Sequence, residues 1–234
     1  MKQLKKSRKG FTLIELLTVI AIIGILAGLA SAGIPMAMNK ARQMVASNNL
    51  RSIAQAIVSI RNEGKIITNN GSDARKYQAS DVAGFAEVLA RYTSVREGET
   101  WVVGSDVDGY TTVPQHVLSE IDDGTNELSG GAISWDVVVN ARRNPKDEVG
   151  YPIAWLRGLG TDGEWEEDSP FGRAYGLIAF ADGHVKSVTN LLAEEDQLSS
   201  YDGKSQTSNY MDAIGANSGS AARKPTVLKG QGAE

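Results

Sequence analysis

The side chains best suited to chemistry are few and widely spaced. The chain of 234 residues has no cysteine and two histidines, His116 and His184. A disulfide framework, a thiolate metal site and a cysteine nucleophile are therefore excluded. The His-Glu-x-x-His zinc motif, the phosphate-binding glycine loop and the Gly-x-Ser-x-Gly nucleophile elbow are also missing from the sequence. We therefore predict that the protein is not an enzyme and that it needs no cofactor.

Two short stretches remain as candidates for chemistry. The stretch "GSDVDGY", from Gly104 to Tyr110, places Asp106 and Asp108 at alternate positions of a turn, and calcium prefers such oxygen-rich loops. The full EF-hand spacing is absent, so a calcium site is one interpretation and a solvated turn is the other. His184 follows Asp182 by two residues, so a metal ligand or an acid–base pair is one interpretation. The other is an exposed strand residue, which is what a histidine just after a turn usually is.

The charges separate the first ten residues from the rest of the chain. Met1–Gly10 holds five Lys or Arg residues and no acid, while the whole chain has a net charge of −4. Removing those five positive charges leaves −9 for the remainder. Affinity for nucleic acid comes largely from Lys and Arg that neutralise phosphates, so we expect no nucleic-acid binding.

A long apolar segment follows the basic residues. From Leu16 to Asn39 no residue carries a formal charge. As a helix this segment would be about 36 Å long, enough to cross a hydrocarbon core of about 30 Å. The basic residues before it favour a cytoplasmic N-terminus and a body on the outer side of the inner membrane. Within the segment, Gly24 and Gly28 would allow close packing between helices.

The residues around Gly10 carry a family resemblance. The stretch "KGFTLIELLTVIAIIGILAG", Lys9 to Gly28, resembles the N-terminus of type IV pilins and of the pseudopilins of type II secretion. In that family a prepilin peptidase cuts after the glycine and methylates the new amino group. The resemblance implies cleavage between Gly10 and Phe11, methylation of Phe11, and an assembly role for Glu15. It also lends support to calcium at Asp106 and Asp108, because some major pseudopilins hold calcium in a loop.

One long helix is predicted from Phe11 to about Glu63. Gly64 is expected to end it, and Pro35, which lies a few residues later than the usual proline of the family, is expected to bend or loosen it. Beyond the apolar segment, one face of the helix should need a cover, because apolar residues recur there at steps of three and four: Ala46, Leu50, Ile53, Ile57 and Ile60.

The remainder reads as a short helix followed by strands. A second amphipathic helix is predicted over Ser80–Thr93, with Ser80 as N-cap and with Val82, Phe85, Leu89 and Tyr92 on one face. The predicted strands are 101–103, 110–113, 133–139, 151–156, 175–180 and 184–188. We therefore expect an α+β fold of pilin-like type, in which a long N-terminal helix packs on an antiparallel sheet.

The clearest predicted hairpin is "YGLIAFADGHVKSV", Tyr175 to Val188, in which Asp182-Gly183 has the composition of a type I′ turn. Its "FADGHV" part resembles a C-terminal motif of pilin-like proteins in some bacterial lineages. That motif is usually preceded by a histidine, and the corresponding position here is Gly172. The match is therefore incomplete, and the residues do not explain a role for the motif.

These observations give one organisation of the chain. We interpret 1–10 as a basic leader, 11–39 as a membrane-spanning assembly helix, 40–198 as a periplasmic globular domain, and 199–234 as a polar flexible tail. The resemblance implies a filament subunit, and we favour a type II secretion pseudopilin over a type IV pilus subunit for adhesion, motility or DNA uptake. Its partners would be prepilin peptidase, copies of itself, other pilin-like subunits and an inner-membrane assembly platform.

A different class also fits the residues, namely an uncleaved single-pass anchor whose outer domain binds a ligand. Processing at Gly10 separates the two classes. We expect that replacing Gly10 by a large residue such as leucine blocks cleavage, because the peptidase has to fit the backbone beside the scissile bond. The precursor should then stay at its full size on a gel. Normal shortening of this variant would contradict the proposed site.

Overall fold

The structure is a computed structural model that describes residues 11–69, 77–119, 124–141, 150–216 and 224–232. The chain divides into two compact units, Met1–Arg42 and Gln43–Glu234. Helices are α1 (Leu13–Asn62), α2 (Val82–Tyr92) and α3 (Tyr210–Ala213), and short 3-10 helices cover Gly98–Thr100, Gly104–Gly109, Gly172–Ala174 and Glu194–Asp196.

Helix α1 is bent in the turn before Pro35. On its own, no helix in the described part of the chain has both the length and the apolar content to cross a membrane. The segments Leu13–Leu29 and Gly33–Asn62, with a bend between them, reach that length and apolar content only together. Proline has no N–H for the carbonyl of Ser31, and its ring crowds that carbonyl. The bend therefore lies on the N-terminal side of Pro35.

The C-terminal end of α1 is closed by Gly64, as predicted. Gly64 has a φ of 75°, a backbone conformation that glycine adopts without steric cost. Its N–H donates to the carbonyl of Arg61 at 2.9 Å, and the N–H of Lys65 donates to the carbonyl of Ile60 at 3.1 Å. These two bonds form a Schellman motif, which satisfies carbonyls that the helix leaves unpaired.

Helix α2 is shorter than predicted, and its N-cap is Asp81, not Ser80. The Asp81 carboxylate accepts a hydrogen bond from the N–H of Gly84 at 2.7 Å, while the Ser80 hydroxyl lies 3.3 Å from Asp81. A carboxylate both caps the helix and interacts favourably with its positive end. Val82, Phe85 and Leu89 are buried as expected, but Tyr92 is 41% exposed and stacks against Tyr77.

Five strands form one antiparallel sheet, in which the neighbours are, in order, β4 (Val185–Val188), β3 (Gly176–Phe180), β2 (Pro152–Leu156), β1 (Trp135–Val139) and β7 (Thr226–Leu228). The α+β class and the antiparallel sheet are thus confirmed. Trp135 of β1 lies opposite Leu156 of β2, and Gly176 of β3 lies opposite Val188 of β4. A separate two-stranded sheet is formed by β5 (Leu198–Ser199) and β6 (Gln206–Thr207).

The predictions of strands at 101–103 and 110–113 were wrong. These residues flank the 3-10 helix Gly104–Gly109. The N–H of Val103 donates to the Ser134 hydroxyl at 2.8 Å, and the N–H of Ser134 donates to the carbonyl of Trp101 at 2.9 Å. Because these isolated hydrogen bonds satisfy the N–H of Val103 and the carbonyl of Trp101, the two groups do not need the repeated hydrogen bonds of a β-sheet. Their apolar side chains serve the core instead.

The prediction of a flexible tail over 199–234 was also wrong where the structure describes that segment. Strand β7 pairs with β1, with Val227 opposite Val138. Tyr210 and Ile214 are buried in the core. The segment is polar because only a few of its residues face inward, and those few are enough to attach it.

The hairpin between β3 and β4 was predicted correctly, but not its turn type. A type I′ turn needs positive φ at two successive residues, whereas Gly183 has a φ of 87° and Asp182 is not among the residues with positive φ. The N–H of Phe180 donates to the carbonyl of His184 at 3.0 Å. The connection is therefore a three-residue loop that ends in a left-handed glycine.

The core of the second unit contains the apolar face of α1. Leu50 and Ile53 are fully buried, and Ile57 and Ile60 are 6% and 3% exposed. Ile57 and Ile60 line a small cavity together with Phe85 of α2 and Val138 of β1. All four tryptophans, Trp101, Trp135, Trp155 and Trp165, are buried at 1% exposure or less. The predicted cover for this helix face is thus confirmed.

We expect a fragment that begins at Gln43 to be a soluble, folded monomer, because its helix face is already covered by its own sheet and α2. In that fragment, Leu50→Ala should lower the free energy of unfolding by about 2–5 kcal/mol through lost burial and the cavity left behind. The neighbouring exposed Arg51 provides the control, and Arg51→Ala should change it by less than about 0.5 kcal/mol. Urea unfolding followed by circular dichroism measures both. An unfolded parent fragment would show that the sheet does not cover the helix.

Candidate assembly site

The first turn of α1 is organised by Thr12 and Glu15. The Glu15 Oε2 atom accepts hydrogen bonds from the backbone N–H and from the hydroxyl of Thr12, both at 2.8 Å. In return, the N–H of Glu15 donates to the Thr12 hydroxyl oxygen at 3.3 Å. This reciprocal pattern is a capping box, in which N-cap and N3 side chains satisfy free donors at the helix start.

The capping box explains why α1 begins at Leu13 and not at Phe11. It also gives Glu15 a local partner that sequence reasoning missed, although the signal was present as Thr-x-x-Glu before an apolar run. Phe11 lies just before the box and is 86% exposed. Gly10, the predicted cleavage position, lies outside the described residues.

The apolar side chains of the first unit are exposed. A Cβ atom built on Gly24 or on Gly28 would meet nothing within 4 Å, so the described residues bring no element against this small-residue face. Its role in packing stays a prediction. The exposed side chains run along the whole segment and include Leu13 (81%), Leu16 (62%), Ile20 (61%), Ile25 (65%), Leu29 (71%) and Met36 (76%).

The predicted calcium residues Asp106 and Asp108 do not act together in the structure. Asp106 is 1% exposed and accepts hydrogen bonds from the Nη2 and Nε atoms of Arg157 at 2.6 and 2.9 Å. The Ser134 hydroxyl adds a third bond at 2.9 Å. Asp108 is exposed, and the described residues contain no group of three acidic, histidine or cysteine side chains suited to a metal. A guanidinium thus neutralises the buried carboxylate.

Arg157 joins segments that are far apart in sequence. Its Nη1 atom lies 3.0 Å from Asp168, so the guanidinium contacts both the turn around Asp106 and the loop Glu164–Asp168. Burial works to lower the pKa of Arg157, but the hydrogen bonds and charges of Asp106 and Asp168 raise it above its usual value. Arg157 is therefore charged at any physiological pH.

A second buried carboxylate secures the C-terminal strand. Asp136 on β1 is fully buried and accepts bonds from Lys229 Nζ at 2.7 Å, the N–H of Gly230 at 2.9 Å and Trp155 Nε1 at 3.1 Å. Burial works to lower the pKa of Lys229, but the charge and hydrogen bond of Asp136 raise it above its usual value. Burial also raises the pKa of Asp136 above its usual value. The pair is therefore lost in two ways, when alkaline pH deprotonates Lys229 and when acid pH protonates Asp136.

His184 is exposed at the hairpin tip, as predicted. Its side chain is 48% exposed, and its Nδ1 atom lies 2.6 Å from Asp182 Oδ1. The ring stacks on Phe180 with centroids 4.3 Å apart, and the backbone N–H of His184 also donates to Asp182. Each of these contacts shapes the turn.

One comparison with known proteins found a match. Residues 5–31 match the model described as the prokaryotic N-terminal methylation motif. No curated protein and no solved structure matches the chain. The motif supports a type IV pilin or pseudopilin family and a pilin-like subunit processed by prepilin peptidase. It also fits a subunit anchored in the inner membrane by its N-terminus.

The pair Arg157–Asp106 gives a test of how the body is held together. In the fragment that begins at Gln43, Arg157→Ala should cost about 3–5 kcal/mol of unfolding free energy, because it leaves the Asp106 charge buried without a partner. The control is Asp168→Asn, since the Asp168 side chain is 68% exposed and such pairs contribute at most about 1 kcal/mol. Urea titrations at neutral pH compare the two. Equal losses of unfolding free energy from the two variants would show that the buried pair stabilises the fold no more than the exposed contact does.

Proposed function

We propose that the protein is a subunit of a pilin-like filament, and specifically a pseudopilin of a type II secretion system. The observation that carries the proposal is the methylation motif at residues 5–31, which includes the first part of α1. The motif alone gives the coarser assignment of a processed pilin-like subunit. The absence of cysteine, and hence of the disulfide loop of many pilins, favours the pseudopilin.

In this proposal the protein waits in the inner membrane before assembly. The basic residues of Met1–Gly10 stay in the cytoplasm, and the unit Gln43–Glu234 lies in the periplasm. Prepilin peptidase cuts between Gly10 and Phe11 and methylates the Phe11 amine. The exposed apolar side chains of the first unit are compatible with lipid before assembly and with neighbouring helices after it.

Glu15 would then guide the position of each subunit in the filament. Cleavage creates a positive amine on Phe11, and no mature side chain carries a positive charge before Lys40. The amine of an incoming subunit can meet Glu15 of a neighbour. A misaligned subunit would leave both charges unpaired in apolar surroundings, which disfavours every other axial register. The chain acts as a structural element here, and we propose no catalytic role.

The N-terminus of the mature protein tests the class of function. We expect mass spectrometry of the membrane-bound protein to find a chain that begins with methylated Phe11. A chain that retains Met1–Gly10 would support an uncleaved anchor with a ligand-binding domain. Deleting the gene and measuring secreted protein, twitching motility and DNA uptake separates the pseudopilin from a pilus subunit.

We expect Glu15→Val to be inserted and cleaved normally but to reduce the yield of sheared filaments by about tenfold or more. Such a loss corresponds to about 1.4 kcal/mol or more per subunit contact, within the cost of an unpaired charge near lipid. The matched control is Thr12→Val, which removes the hydroxyl of the capping box but keeps the backbone N–H that donates to Glu15. It should assemble nearly as well as wild type.

Electron microscopy and an N-terminal cleavage assay measure both variants from overproducing cells. If Thr12→Val fails to the same degree as Glu15→Val, the helix cap and not the amine partner explains the role of Glu15. Abundant ordinary filaments from Glu15→Val would show that the carboxylate is dispensable for assembly.

A further inference from the structure

Two cations mark the end of the apolar segment of α1. After Glu15, Lys40 and Arg42 are the first charged side chains of the helix. Both are exposed, and neither forms an ion pair or a side-chain hydrogen bond with another residue in the described ranges. From Leu16 to Asn62 the sequence contains no acid, so this part of the helix supplies no counter-charge. Lys40 and Arg42 are therefore open to a negative group from outside the chain.

The spacing of Glu15 and Lys40 matches the thickness of a bilayer. As a helix, the stretch between them is at most about 37 Å long. The hydrocarbon core of a bilayer is about 30 Å thick, and the headgroups extend it to about 40–45 Å. With Glu15 at one edge of the hydrocarbon core, Lys40 lies in the headgroup layer at the other edge. Arg42, about 3 Å further along the helix, reaches the same layer with its long side chain.

We infer that Lys40 and Arg42 bind the phosphates of anionic phospholipid headgroups on the outer side of the inner membrane, before the subunit enters a filament. The inference rests on the proposed function, which places the first unit in the membrane. The five cations of Met1–Gly10 outnumber these two, so the cytoplasmic N-terminus is still favoured.

The positions of the two cations around the helix favour lipid over other anionic partners. Lys40 and Arg42 are two residues apart, which places them about 200° apart around the helix axis. A single anion cannot bridge side chains on opposite sides of a helix, and a protein packed on one side would contact only one of them. The headgroup layer surrounds a membrane helix on every side. It therefore offers a phosphate to each cation.

The residues just before the cations make the contact sensitive to depth. Met36 is 76% exposed and Met38 is 51% exposed, so apolar surface lies on the hydrocarbon side of Lys40. The aliphatic stems of Lys and Arg can lie along such a surface while their charged ends reach the headgroups. A deeper position would take two charges out of water, and a shallower one would expose the methionines to it. The contact thus holds the apolar segment at one depth.

Cysteine labelling tests this depth, because the natural chain has no cysteine. Met36 precedes Lys40 by one turn, and Met44, which is 62% exposed, follows it by one turn. In vesicles of equal parts phosphatidylcholine and phosphatidylglycerol, we expect full-length Met44→Cys to react with a membrane-impermeant maleimide about tenfold faster than Met36→Cys, because only the latter lies in hydrocarbon. Both positions are exposed in the chain itself, so protection by packing does not explain a difference. Equal rates would overturn the inference.

Native mass spectrometry of the full-length protein, released from detergent micelles with phosphatidylglycerol added, tests the lipid contact. We expect Lys40→Gln/Arg42→Gln to need about tenfold more phosphatidylglycerol than wild type for the same bound fraction, because each basic side chain strengthens binding to anionic lipid. The matched control is Arg51→Gln, which removes an exposed cation of the second unit and should bind as wild type does. The leader cations add the same background to all three proteins.

Equal affinity of Lys40→Gln/Arg42→Gln and Arg51→Gln for the lipid would overturn the inference. Inorganic phosphate at the same concentration should not displace the lipid, and displacement would show a site for free anions instead. Neither measurement depends on filament formation. A chain that forms filaments without this lipid dependence would overturn the inference alone, whereas a lipid-dependent chain that keeps Met1–Gly10 in cells would overturn only the proposed function.

Discussion

A single helix whose surroundings change along its length is the constraint on which the other features depend. In the first unit the side chains of α1 are apolar on every side and exposed, as Leu16 at 62% and Ile25 at 65% illustrate. In the second unit only one face is apolar, and Leu50 and Ile53 on that face are fully buried. A helix that is apolar all round needs lipid or other helices, whereas a one-sided helix needs a folded cover. The same element therefore demands lipid or other helices along its first part and a folded cover along its second part.

Two buried carboxylates link distant segments of the unit Gln43–Glu234, in a chain that has no cysteine for disulfides. Asp106 with Arg157 and Asp136 with Lys229 each join segments that are far apart in sequence. Removing one partner of such a pair costs far more than the pair gains over an apolar core. The pairs therefore act mainly to specify one arrangement, in which the turn around Asp106 and the strand β7 have defined places.

Local patterns in the sequence predicted the parts of the fold that depend on local forces. Neighbouring residues alone predict three of these parts. They are the buried helix face with Leu50, Ile53 and Ile57, the end of α1 at Gly64, and the hairpin around Gly183. The attachment of β7 to β1 and the pairing of Asp106 with Arg157 are contacts between distant residues, which no local pattern encodes. For this reason the polar composition of 199–234 predicts a flexible tail and gives no sign of β7, and the spacing of Asp106 and Asp108 gives no sign of Arg157.

The N-terminal site likewise combines residues that a sequence motif predicts with a contact that the structure reveals. The motif predicts roles for Gly10, Phe11 and Glu15, whereas the capping box between Thr12 and Glu15 is a contact that the structure adds. Both hydrogen bonds from Thr12 end on the Oε2 atom of Glu15, which leaves Oε1 of the carboxylate able to accept from an amine. Helix capping and pairing with a neighbour are therefore compatible. Because the cap already restricts the Glu15 side chain, less conformational entropy is lost when an amine binds. In the proposed filament, the local helix-start signal would thus prepare the Glu15 carboxylate for an interaction between molecules.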